Sequence, residues 1–272
     1  MSEIVSSVTF ANPNRLYAPV GRCIYCGVFS NKLAREHIIP FGLAGNALLL
    51  PKASCKTCES ITGGFEQTCL RTILGPFRLR LGAPTRNPNE RPTKLPLTLA
   101  RAEDRTPIPL ETILVPTHEF PIAFIGLRLR EARILQGKEP LGSVDGEVWT
   151  RFNTDEIKRY VPSGTTEPRG VKLGKIKPIT FARLLAKIGH AYAVVESGFA
   201  SFRPLVTDLI LGKTEEMSQC VGGEWEVPPA KQAAFELRLE RRAVHGRNFL
   251  LVHIRLFSFF ETPQYHVVVG EL

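Results

Sequence analysis

Four of the six cysteines fall into two Cys-x-x-Cys pairs, Cys23 with Cys26 and Cys55 with Cys58, with 28 residues between the pairs. Nothing else in the sequence restricts the fold as tightly. Two thiolates at this spacing fill two corners of a tetrahedral metal site, and a second pair closes it. In a reducing compartment such pairs serve zinc more often than disulfides. The expectation is one structural zinc ion held by Cys23, Cys26, Cys55 and Cys58; four ordinary buried or redox thiols are the alternative. Cys69 and Cys220 belong to no such pattern and read as small core residues.

The chain between and after the pairs alternates short elements. KLAREHIIP reads as a short strand with Glu36 and His37 side by side, on opposite faces. GNALLLPKASC gives a second strand. CKTCESITGGFEQTCLRTIL starts at the second pair and runs as a helix, with Gly63 and Gly64 its weak spot. Glu59, Gly63 and Glu66 are spaced four and three apart and share one helix face. The outline is a hairpin and a helix with a metal staple at their base.

Before this unit, residues 1–20 read as a loose lead-in, because Pro13 and Pro19 oppose long regular structure. After it, residues 82–121 carry eight prolines and read as a connecting arm with short extended pieces. A domain boundary is placed near residue 95, giving residues 1–95 and 96–272. The second part reads as a mixed α+β unit. AFIGLRLREARIL and GEVWTRFN are strands. In PITFARLLAKIGHAYAVVESG the apolar residues Phe181, Leu184, Leu185, Ile188, Tyr192 and Val195 follow the helical period, and Gly198 stops the helix. A shorter helix is expected from about Ser201 to Leu211. AAFELRLERR, NFLLVHIRLFSFF and YHVVVGEL form a terminal antiparallel meander, with Gly246 helping its first turn.

With 43% hydrophobic and 22% charged residues, the 272-residue chain is that of an ordinary globular protein. No apolar run approaches the length of a membrane span. The N-terminal stretch lacks a basic region followed by an apolar core, so a cytoplasmic location is expected. The net charge of +9 points to polyanionic partners, nucleic acid first. Two regions concentrate it. Residues 71–105 hold eight Lys/Arg against three acids, and residues 151–187 hold nine against three. Such side chains contact phosphates without reading sequence, although each region also reads as a solvated basic surface.

The order Cys-x-x-Cys, Glu-His-Ile-Ile-Pro, Ser-Cys-x-x-Cys resembles the HNH endonucleases, whose ββα-metal motif is stabilised by a four-cysteine zinc. The resemblance covers roughly residues 22–86. It implies an N-terminal zinc-stapled ββα-metal module, which, followed by the mixed α+β domain with its C-terminal antiparallel meander read above, makes the expected fold class α+β. It also implies metal-dependent hydrolysis of DNA phosphodiesters. His37 would be the general base that takes a proton from water. Glu36 would hold a catalytic Mg²⁺ or Mn²⁺ that polarises the phosphate. Asn46 is the nearest match to the asparagine that shapes the loop around the base. The family's second metal ligand, His or Asn, directly follows the second cysteine pair. Here that position is Glu59, which fits a hard cation and equally fits a lost site or a first-turn helix acid. Glu66 is a third carboxylate for that metal, or a salt-bridge partner. Arg71 and Arg86 are the expected phosphate contacts, and paired nicks in a duplex would require a homodimer.

Two other readings stay open. One is a catalytically inactive, zinc-stapled nucleic-acid-binding protein, motivated by Glu59. The other is a zinc module whose second domain recognises a protein.

Overall fold

The computed structural model describes residues 2–10, 14–101, 108–160, 169–172 and 174–272. Pro13, and the charges Glu103, Asp104, Arg105 and Glu167 of the two basic regions, lie outside these residues.

Strand β1 (Ser2–Phe10) opens the chain. It pairs antiparallel with the far C-terminal part of the sequence, Ser2 opposite Arg242 and Phe10 opposite Phe235. The expected loose lead-in is therefore corrected. Residues 2–10 contain no proline, and their backbone is paired along β12, with one register shift between Ile4 and Ser6. A two-residue strand β2 (Arg15–Leu16) follows.

Next comes the hairpin–helix unit. Strand β3 (Ala34–His37) leads through the single turn α1 (Phe41–Ala44) into strand β4 (Leu48–Ser54). β3 and β4 pair antiparallel, with Glu36 opposite Leu50 and His37 opposite Leu49, while β2 adds to β4 in parallel. Helix α2 (Lys56–Thr68) starts at Cys55, whose extended backbone (φ −77°, ψ 161°) makes it the N-cap. A π-helical turn (Cys69–Ile73) and helix α3 (Gly75–Arg80) continue it.

Strands β5 (Lys94–Arg101) and β6 (Ile108–Pro116) form an antiparallel hairpin with a small core of its own, Leu95, Leu97, Leu99, Val115 and Phe120. The expected arm is more regular than its prolines suggested. Pro96 costs little because a third strand reaches only Leu99–Arg101 of β5. Strand β7 (Ala123–Leu129) pairs with β8 (Gly146–Phe152), and the short helix α4 (Thr154–Lys158) is capped by the Asn153 side chain. The third strand on β5 is β9 (Arg169–Val171).

Helix α5 (Pro178–Ser197) is the axis of the molecule. It is buried almost all round, from Phe181 to Val194. One side lies on an antiparallel sheet in which β1 borders the meander β12 (Phe235–Val244), β13 (Arg247–Leu256) and β14 (Gln264–Glu271), paired in that order. β10 (Arg203–Pro204) and helix α6 (Thr207–Leu211) replace the helix expected from Ser201. Pro204 explains this, since it biases its predecessor to extended backbone and cannot sit inside a helix. Helix α7 (Met217–Cys220) and β11 (Val221–Gly223), which also pairs with β14, complete the fold. The His245–Gly246 turn has φ of +50° and +75°, the positive values a tight two-residue hairpin needs.

The protein is thus α+β. One hydrophobic core runs from Ile24 and Ile38 through α5 to Val269, so packing is continuous across residue 95. Phe77 of α3 makes edge contacts with Phe124 (ring centroids 5.4 Å apart) and Phe257 (4.8 Å), each contributing on the order of 1 kcal/mol beyond burial. No described helix is long and apolar enough to cross a membrane.

Candidate metal centre and basic cleft

The four cysteines of the two pairs converge. Their sulfurs all lie within 4.8 Å of one another, and none of the six cysteines is in a disulfide. A tetrahedral zinc with bonds of about 2.3 Å sets its sulfurs roughly 3.8 Å apart; the Sγ atoms of Cys26 and Cys55 are 3.7 Å apart. Donor set and spacing therefore fit a structural metal such as zinc. Local backbone builds the site. Gly27, at φ +75°, returns its N–H to the Cys23 carbonyl at 2.9 Å, closing the first knuckle. Cys55 and Cys58 occupy the N-cap and third position of α2, where the helix N-terminus favours thiolates. The Ile24 N–H donates to the Ala53 carbonyl at 2.8 Å, tying the first knuckle to β4.

At the other end of β3, His37 Nε2 lies 3.1 Å from Asn46 Oδ1. The carbonyl oxygen accepts, so Nε2 carries the proton and Nδ1 keeps the lone pair. Burial holds the His37 pKa below its ordinary value, Asn46 pulls it back up, and the positive Lys187, Arg35 and Arg86 lower it further. The imidazole is therefore neutral at neutral pH, the state a general base needs. The Phe41 ring fixes its edge at a centroid distance of 5.6 Å.

His37 faces a cleft of about 560 Å³ between the hairpin and α2, bordered by Arg35, Arg71 and Arg86. Arg71 and Arg86 are exposed, as phosphate contacts must be. Other basic residues of the same region are committed to the fold. Arg78 donates to the carbonyls of Gly42 and Pro84, both at 2.8 Å, and Arg80 to that of Phe120 at 3.0 Å. The second basic region also loses a member, because Lys187 is buried. Gly63 and Gly64 line the cleft, and a Cβ at either would meet no atom within 4 Å. No packing constraint explains these two helix-weakening residues.

The expected carboxylates do not gather into a divalent-cation site. Glu36 is only 6% exposed, and its Oε1 sits 2.6 Å from the Lys187 ammonium. Glu66 Oε1 sits 2.7 Å from the same nitrogen. Glu59 turns away to an exposed pair with Lys56 at 3.3 Å. Among the described residues, the four-cysteine cluster is the one place where three or more metal-ligating side chains converge. Glu36, Glu59 and Glu66 are thus not brought together as joint ligands of Mg²⁺ or Mn²⁺: a lysine from a distant helix holds two of them. Burial pushes the Glu36 carboxyl up while Lys187 pulls it down. For Lys187, burial works against the charge, but the two carboxylates outweigh it and raise its pKa, so the ammonium stays charged.

Two residues of α5 therefore grip the unit. Lys187 holds Glu36, Glu66 and the His37 carbonyl. One turn on, His190 Nε2 meets the Ile24 carbonyl of the first knuckle at 2.6 Å. Neither residue stands out in the sequence by metal-ligand spacing. The available signal was subtler. Lys187 is the one cation in the central stretch of a helix apolar nearly all round, and such a lysine has to be paired.

Compared with known proteins, the chain matches no family model, no curated protein and no solved structure.

Proposed function

We propose that the protein is a phosphodiesterase acting on nucleic acid, an HNH-like nuclease in which His37 is the general base. One observation carries this reading: a neutral imidazole, oriented by Asn46 at 3.1 Å, faces a cleft bordered by exposed arginines. His37 would take a proton from the attacking water at Nδ1, a contribution of about 10²–10⁴-fold in rate. Arg71 and Arg86 would hold phosphates on the cleft wall and offset the negative charge that grows during attack. The four cysteines would carry a structural zinc that fixes the strand bearing His37 relative to α2. With Glu36 and Glu66 paired to Lys187 and Glu59 paired to Lys56, the residues present do not fit a divalent cation held jointly by these three carboxylates.

The capture of Glu36 and Glu66 by Lys187 favours a second reading, a zinc-stapled protein that binds nucleic acid without cutting it. A nicking assay on supercoiled plasmid and on single-stranded RNA separates the two. Zinc-loaded wild type and His37→Ala are compared with and without added Mg²⁺ or Mn²⁺. Cleavage by wild type, lost in a folded His37→Ala protein, is the expected result. Cleavage unchanged in His37→Ala would sink the assignment of the base; binding with no cleavage under any condition would establish the second reading.

A further inference from the structure

We propose that the Lys187 ammonium is a resident cation. It occupies the position at Glu36 and Glu66 that a divalent metal would otherwise take, so that this part of the cleft takes up no metal.

Four oxygens surround Nζ. Two carboxylate oxygens lie at 2.6 Å (Glu36) and 2.7 Å (Glu66), the Ile38 carbonyl lies at 3.4 Å, and the His37 carbonyl accepts a hydrogen bond from the same nitrogen. Carboxylates with backbone carbonyls are the oxygen set that hard divalent cations choose. Here the chain's own charge fills it. The side chain is fully buried, with no exposed surface. An isolated ammonium at that depth would be strongly unfavourable, whereas one with two carboxylates and two carbonyls is satisfied.

The ammonium and its four partners come from three separate elements. Glu36, His37 and Ile38 belong to β3 and its exit, Glu66 to α2, and Lys187 to α5. The ammonium thus does mechanically what a bridging metal does: it fixes strand, helix and support to one point. It does so next to the base, since it binds the backbone carbonyl of His37 itself. A divalent ion entering the same oxygens would have to displace Lys187 or sit against its positive charge.

The place of the Lys187 ammonium among these oxygens is independent of any cleavage activity. Its consequence for catalysis, that His37 acts without a divalent ion at Glu36, rests on the nuclease reading. A purely structural lysine would leave Mn²⁺ affinity unchanged on removal; a resident cation unmasks a metal site.

The test is a Mn²⁺ titration of the zinc-loaded full chain, followed by electron paramagnetic resonance without nucleic acid. Wild type is expected to leave Mn²⁺ free. Lys187→Met, which keeps the apolar stem but removes the charge, is expected to gain a Mn²⁺ site that the added Glu36→Gln change abolishes. Wild-type binding of Mn²⁺ that Glu36→Gln removes would overturn the proposal. So would a folded, zinc-bearing Lys187→Met protein with no gain in Mn²⁺ binding. If Lys187→Met does not fold, thermal melting of wild type decides: an unchanged midpoint in Mn²⁺ supports the resident cation, and an upward shift that Glu36→Gln removes refutes it. Absence of cleavage by wild type would count against the nuclease reading and leave every one of these outcomes readable.

Discussion

Asn46 Oδ1 lies 3.1 Å from His37 Nε2, and the two residues flank the single helical turn that joins β3 to β4. The amide fixes which ring nitrogen carries the proton. Asn46→Ala should release the ring and lower cleavage by about 10-fold or more, less than the loss in His37→Ala. Asn46→Asp tests the electrostatics. A carboxylate facing Nε2–H favours the imidazolium and raises the His37 pKa. Since burial holds that pKa below its ordinary value, the wild-type rate should stay on its plateau down through neutral pH. The acid limb should move to higher pH in Asn46→Asp. Initial rates from about pH 5 to 9 give the answer, and an unmoved acid limb would remove Asn46 from this role.

Cys26 separates the metal's contribution from packing. It is exposed, whereas Cys23 is fully buried. Cys26→Ser therefore opens no cavity, and any loss of stability reports the metal. The wild type should carry about one zinc per chain by elemental analysis. Cys26→Ser should lose most of it and melt at lower temperature, because binding energy at a structural zinc is folding energy. Equal metal content and equal melting in the two proteins would refute the site.

The sequence was most readable where local pattern and local chemistry coincide. The cysteine spacing, the strand bearing Glu36 and His37, and the helix starting at Cys55 all depend on near neighbours in the chain, and all appear where expected. Readability failed where a partner lies far away. β1 is a strand because β12, more than two hundred residues later, offers it an edge. The same is true of Glu36 and Glu66. Adjacent residues suggested ligands of a free metal, but the cation that meets them comes from Lys187, separated from Glu36 by more than half of the chain. Periodicity placed Lys187 on a helix without revealing its partners.

Gly64 is exposed within α2, and a Cβ there meets nothing within 4 Å. Alanine should therefore stabilise the protein by roughly 0.5–1 kcal/mol, through helix propensity and a less flexible unfolded chain. If the glycine serves clearance in the groove, Gly64→Ala should also weaken nucleic-acid binding. Chemical denaturation and a binding titration on the same sample test both halves. Higher stability with unchanged binding would show that the groove needs no gap at this position.

His266 gives the pH dependence of the C-terminal sheet. Its Nε2 accepts the Ala132 N–H at 3.0 Å, which requires the ring to be neutral. Burial, with further repulsion from His253 and Arg242 against the attraction of Glu240, lowers its pKa to about 3. The unfolded chain takes up the proton near the ordinary value of about 6.5. Between those values the unfolded state binds more protons, so stability is full above about pH 6.5 and falls as the pH drops towards 3. The loss between pH 7 and 5 should be about 2 kcal/mol from this residue. His266→Gln should flatten that part of the curve while leaving zinc content unchanged; an identical slope in the variant would assign the acid sensitivity elsewhere.

Arg71 and Arg86 border the cleft with exposed side chains. If both hold phosphates, each change to alanine should weaken nucleic-acid binding similarly across sequences. Each should also lower the slope of log affinity against log salt by about 1. Arg78 is the internal control. Its guanidinium is spent on the Gly42 and Pro84 carbonyls, so Arg78→Ala should cost stability and leave the salt slope of the surviving folded protein near wild type. Fluorescence anisotropy across a salt series measures all three. A full slope in both Arg71→Ala and Arg86→Ala would move the phosphate path off this wall of the cleft.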